Sequence, residues 1–213
     1  MKDKHTNNRI ADDFFKLPAH VRDLALGCHY LYEAGLFDLA ILYFTKVIDD
    51  SPEDVDALVY RAKAYMYSNN YTSAIADLTE ILEQAPENAN TLFERGVCFY
   101  RLRVWDRAIW DFSSAIEYLA APNKELEATL YYNRGISYLG AGRYEEAEKD
   151  LTHSRFLNEH HAETFIKLAE ARVHLGKVEF AKRDLQGLLE QQPNHIEAFS
   201  LLAQLNASPV EGT

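Results

Sequence analysis

Few residues in this chain combine the types and spacing that chemistry requires, and each such group falls short of a reaction. Cys28 and His29 could supply a thiol and its base, but neighbours on a helix point about 100° apart, so neither can serve the other. His160-His161, flanked by Glu159 and Glu163, has metal-ligating types, yet two adjacent exposed histidines hold no tetrahedral ion. The acidic run from Asp49 to Asp54 resembles a calcium loop in charge only. It lacks the central glycine and the terminal glutamate spacing. Gly140-Ala141-Gly142 is not followed by the lysine of a phosphate loop and follows no strand pattern. Cys28 and Cys98 sit too far apart in the pattern to bridge. The residues therefore predict no catalytic site, no metal and no cofactor. The side chains left to do work are those that recognise rather than react, chiefly tyrosines, of which there are thirteen.

Composition narrows the partner. Twenty-two basic against 33 acidic residues give a net charge of −11. That balance disfavours nucleic acid, whose binding needs a basic footprint, and anionic membranes. No stretch approaches the ~18 apolar residues of a membrane span, and the polar start, Met1 to Arg9, has no apolar run after its charges. With only two cysteines, the expectation is a cytoplasmic, reduced protein.

The elements that must position the tyrosines follow from a repeat. Ala40, Ala74, Ala108, Ala147 and Ala181 are spaced 34, 34, 39 and 34, each followed four residues on by a large apolar group: Phe44, Leu78, Phe112, Leu151 and Leu185. Upstream, Leu58, Arg61, Ala62 and Tyr65 recur as Leu92, Arg95, Gly96 and Phe99, and as Tyr131, Arg134, Gly135 and Tyr138. Phe165, Leu168, Ala169 and Arg172 form the last copy. Offsets of 3, 4 and 7 mark one face of a helix. Cys28, Ala62, Gly96, Gly135 and Ala169 are the small residues that admit a partner helix. Gly35, Asn69-Asn70, Gly142 and Gly176 stop the first helix of a unit, and Pro52, Pro86 and Pro193 mark the exit of the second.

These residues resemble the tetratricopeptide repeat family, over about four-fifths of the chain. The resemblance implies an all-α fold, an α-solenoid of five helix-turn-helix repeats coiled as a right-handed superhelix: 21–54, 55–88, 89–122, 128–161 and 162–195. A helix over 196–206 closes the stack, with Phe199, Leu202 and Ala203 covering the last apolar face and Glu197 and Gln204 in water; 207–213 read as a disordered tail. In the N-terminal segment, residues 1–20, Ile10, Phe14 and Leu17 fit either a short cap helix before Pro18 or a segment that occupies a groove. Five extra residues around Pro122–Glu127 fit a longer loop or an early helix start capped by Asn123.

The helical wheel gives the working face. Positions 2, 5, 6, 9, 12 and 13 of each unit point away from the second helix. In units two to four that face holds Val59, Tyr60, Met66, Tyr67, Phe93, Val97, Tyr100, Tyr132, Ile136 and Leu139, about half of them expected to be mostly buried between repeats. The resemblance implies that this face lines the concave groove where ligands bind. Candidate groove residues are Tyr32, Tyr60, Lys63, Met66, Tyr67, Phe93, Val97, Tyr100, Arg101, Tyr132, Asn133, Ile136 and Lys167. The family's carboxylate clamp is absent: the units starting at Val59 and Lys63 place Glu94 where an asparagine is needed, and an acid repels the anion. The expectation is a non-enzymatic scaffold, adaptor or chaperone-like module. Its partner is another protein, held through an extended or helical peptide; the alternative is a structural subunit that forms a homo-oligomer.

Overall fold

The computed structural model describes residues 17–119 and 123–207. Among them are eleven helices: α1 Ala19–Tyr32, α2 Phe37–Asp50, α3 Val55–Tyr67, α4 Tyr71–Gln84, α5 Ala89–Arg101, α6 Trp105–Glu117, α7 Lys124–Gly140, α8 Tyr144–Leu157, α9 Ala162–His174, α10 Val178–Gln191 and α11 Ile196–Ala207. The chain is all-α, a tetratricopeptide-like solenoid architecture in which odd-numbered helices open each repeat and even-numbered helices close it. The helices gather into two compact units, one ending at Pro86 and the other beginning at Glu87. The candidate N-terminal helix around Ile10 and Phe14 and the tail after Ala207 lie outside the described residues, and so does Pro122.

The repeated alanine and the large apolar residue after it build the core. Ala40, Ala74, Ala108, Ala147 and Ala181 are fully buried, as are Phe44, Leu78, Phe112, Leu151 and Leu185. Each large group fills the space against the first helix of its repeat, where burial contributes ~1.5–3 kcal/mol apiece. The close approach needs a missing side chain: a Cβ on Gly96 would lie 2.8 Å from the Phe112 ring. In the first repeat this role falls to Gly27, whose Cβ would lie 2.5 Å from Phe44, not to Cys28, which is half-buried. The reason is a register slip. The turn after α1 closes through a bond from Leu36 N–H to the Tyr30 carbonyl, six residues back, whereas its counterparts, such as Asn70 to Tyr65, span five.

Side-chain caps start several first helices. Asp54 accepts from the Ala57 N–H at 2.9 Å and Asn88 from Thr91 at 3.1 Å. Asn123 accepts from the N–H groups of Glu125 and Leu126, so the inserted residues after it lengthen α7 at its start by about a turn. First helices end on a left-handed residue at the same place in each repeat: Gly35 (φ 63°), Asn69 (φ 60°), Arg103 (φ 60°), Gly142 (φ 74°) and Gly176 (φ 71°).

The helix at the C-terminal end packs in a different register from the one the sequence predicts. Ala198 is buried, and Leu201, Leu202 and Leu205 pack on the cluster of Phe165, Ile166 and Leu185. Phe199 is 66 % exposed and Ala203 is exposed too. The face carrying Phe199 is the one that a first helix turns toward its own second helix, and no described helix follows α11.

Candidate functional site

In the N-terminal unit, α1 and α3 bring five of the candidate residues together. Tyr60 stacks on the buried Phe44 ring at 5.6 Å and meets Tyr32 edge-on at 6.3 Å. Tyr67 stacks on Phe37 at 5.6 Å. Both Tyr32 (53 %) and Tyr67 (57 %) remain exposed, while Tyr60, Lys63 and Met66 are half-buried. Burial raises the Tyr32 phenol above its ordinary value; Lys63 pulls it down, and the Tyr60 and Tyr67 hydroxyls push it up. Three phenols and one ammonium act on one another here, an arrangement that offers apolar area and hydroxyls.

In the C-terminal unit the remaining candidates spread over α5, α7 and α9. Phe93 leans on the buried Phe112 at 5.9 Å and is half-buried, as is Val97; Arg101 is exposed. Tyr100 packs against Trp105 at 5.5 Å and, with Tyr132, against the cluster of Ile136, Leu151 and Leu168. Ile136, 9 % exposed, is part of that core and offers little surface. Asn133 donates from Nδ2 to the Thr129 carbonyl at 2.8 Å. Burial pushes the Tyr132 hydroxyl up to about 12, with Glu163, Tyr100 and Glu170 adding to it. Burial would lower the Lys167 ammonium, but its 2.9 Å bond to Glu170 and the charges of Glu170, Tyr100 and Glu163 together outweigh that and hold it above the ordinary value. Of the ten apolar positions on this face in repeats two to four, Ile136 is buried, Tyr67 is exposed and the others are half-buried. The even split into buried and open that the wheel implies is thus replaced by partial cover almost everywhere, because each side chain leans on a neighbouring helix.

Two cavities flank α9. One of about 210 Å³ is lined by Thr129, Tyr132, Asn133, Ser154, Asn158 and His161. His161 meets Tyr132 edge-on at 4.9 Å and bonds Thr164 Oγ1 at 2.7 Å. The other, about 280 Å³, lies between α9 and α11 over Ile166, Ala169 and Leu185.

Sequence reading missed a polar ladder behind this face. Arg61 donates two bonds to Asp77, at 2.9 and 2.8 Å; Arg95 does the same to Asp111 (2.9 and 2.7 Å) and Arg134 to Asp150 (2.6 and 2.9 Å). Arg61 and Arg134 also reach back to Thr45 and Ser113 on the preceding second helix. In the last repeat Leu168 takes the arginine's place, and Asp184 is held by Arg172 and Arg155. The signal was available: Asp77, Asp111, Asp150 and Asp184 share the 34, 39 and 34 spacing of the alanines. Among the described residues no group of three metal-ligating side chains forms, and no buried side-chain nitrogen or oxygen lacks a partner. No described helix is long and apolar enough to cross a membrane.

Two family models, both described as tetratricopeptide repeat, match residues 61–123 and 138–205. No curated protein matches the chain by sequence. Among solved structures, a MamA protein superposes with a TM-score of 0.75 at 20% identity, over 84% of this chain and 94% of that one. MamA 41-end from Desulfovibrio magneticus RS-1 gives 0.77 at 14% identity, over 84% and 98%. TTC0263, a thermophilic tetratricopeptide protein of Thermus thermophilus, gives 0.59 at 20% identity, over 88% and 98%. At such identities the likeness is one of fold. Periodic alanines, left-handed helix ends, matching models and matching folds agree: the chain belongs to the tetratricopeptide repeat family, whose members mediate protein–protein interaction.

Proposed function

We propose that this protein is a non-enzymatic binding scaffold that holds a peptide segment of a partner protein on the faces of its first helices. The observation that carries the reading is the pair Tyr32 and Tyr67. Two large rings lie more than half exposed beside Lys63, on a face where solvation alone would favour small or charged groups. Tyrosine suits such a surface because it brings apolar area and a hydroxyl with few rotatable bonds. Packing also makes the face preformed, so little ordering cost falls on the scaffold.

The double change Tyr32→Ala with Tyr67→Ala tests this in the N-terminal unit. Neither ring belongs to the buried core, so helicity should stay at the wild-type level while partner capture from a native extract falls at least tenfold. Undiminished capture on the variant bait would remove the tyrosine face from the site.

A second reading has its own observation. Ile196 (85 % exposed) and Phe199 (66 %) form an uncovered apolar strip on α11, which favours a homo-oligomer joined at that end. Light scattering over a concentration series separates the readings. Association that Phe199→Glu abolishes supports the oligomer, and a monomer at every concentration removes it.

A further inference from the structure

The cavity between α9 and α11 has a floor and a rim of different character. Its floor is apolar and closed: Ile166 and Ala169 are 2 % exposed and Leu185 is fully buried. Val173, Leu201 and Leu205 wall it. At about 280 Å³ it lies below the ~300–1,000 Å³ of pockets that enclose a whole small ligand, and no polar group converges on its floor. One large side chain fits such a space better than a free metabolite.

The rim is acidic. Glu170 and Glu197 stand on it with one ammonium, Lys167, which is already bonded to Glu170 at 2.9 Å. His174, also on the rim, lies flat on Tyr144 with ring centroids 4.3 Å apart. The exposed Glu197 carboxylate has no ion pair among the described residues, so its charge is the one left for a ligand. A second copy of a chain with net charge −11 is a poor match for this rim.

We infer that this cavity is a socket for one large aliphatic or aromatic side chain of a partner peptide that carries a lysine or arginine within two residues of it. The inference rests on the scaffold reading and specifies the peptide. The apolar side chain covers Ile166 and Ala169, and the neighbouring cation meets Glu197.

The test is selection of a displayed library of random decapeptides on the wild-type protein, on Glu197→Lys and on Val173→Trp. Glu197 is exposed, so its reversal leaves the core intact, and tryptophan at the 38 %-exposed Val173 plugs the cavity mouth. The selected wild-type peptides should share Leu, Ile, Met or Phe next to Lys or Arg. Resynthesised, they should bind Glu197→Lys at least about fivefold more weakly, the scale of an exposed ion pair, and Val173→Trp at least about tenfold more weakly. Glu197→Lys should itself select peptides without the basic neighbour. Peptides that enrich with no basic preference, or that bind all three proteins equally, overturn the socket while leaving the scaffold reading standing. No enrichment over uncoated support removes both. Dimerisation of the wild type that Val173→Trp abolishes gives the socket to a second copy and overturns the proposal.

Discussion

At the level of single residues, Arg103 departs from the local rules. It ends α5 in the left-handed region at φ 60°, where three of the five repeats use glycine. A Cβ there costs ~1–2 kcal/mol. Arg103→Gly should therefore raise the melting temperature by about 2–4 °C in a calorimetric scan. An unchanged or lower value would mean that the arginine side chain makes up for the strain. Cys98 gives a second expectation. Burial pushes its thiol up to about 12, with Glu94 and Asp111 adding to the effect. Thiolate is the reactive form, so Cys98 should stay unlabelled by a disulfide reagent at pH about 8 until denaturant is added. The Tyr132 hydroxyl, also held at about 12, works in the same sense. Its raised value contributes stability that is present below the ordinary phenol pKa and lost as pH rises through the folded one. The sequence showed the glycine stops but not Arg103, because an arginine carries no signal for a left-handed turn; only alignment to its neighbours in the repeat does.

Between the helices, the aspartate ladder carries the polar side of the packing. Asp111 is fully buried and bound in two places by Arg95, so Asp111→Ala takes the neutralising carboxylate from a half-buried guanidinium. That change should lower unfolding free energy by about 3–5 kcal/mol in urea titration. The pair change Arg95→Met with Asp111→Leu should recover most of the loss, because a matched apolar pair has no charge to desolvate. A single change costing under about 1 kcal/mol would show that the ladder is incidental. The ladder also sets a pH dependence. Burial raises Asp111 and Asp184 against the pull of their arginines, so the contribution of these two is greatest in acid and is lost as pH rises through their folded values. Glu148 runs the other way. Burial would raise it, but Lys177 and Arg172 hold it low, so its contribution is present above the ordinary glutamate value and lost as pH falls through the folded one. Glu148→Gln should therefore flatten the fall in melting temperature below about pH 4.5. The helices were legible because their alanines and large apolar partners repeat at a fixed period. The register of α1 was not, since it follows from a turn that closes one residue longer than its counterparts, and that of α11 was not, since no described helix covers the face that carries Phe199. The early start of α7 was readable as one of two outcomes, and the Asn123 cap decided between them.

At the scale of the molecule, the question is which surface meets a partner. The helical wheel points to the first-helix face that we propose as the binding surface, but not to its state. It counted Ile136 and Tyr67 alike, and packing makes one core and leaves the other more than half exposed. It also could not see the socket, which arises because Ala169 is small between larger neighbours on two helices that are distant in sequence. Net charge does not say where the acidic groups stand, and the rim of that socket is one place where they matter. Two aromatic residues of equal exposure offer a direct comparison of faces. Tyr67 on the first helix α3 and Trp110 on the second helix α6 are each 57 % exposed. A photo-crosslinking phenylalanine analogue placed at one or the other, irradiated in native extract, reports which face touches a partner. The expected result is a discrete crosslinked band from position 67 and none from position 110; a band from position 110 with none from position 67 would contradict a binding site on the first-helix face.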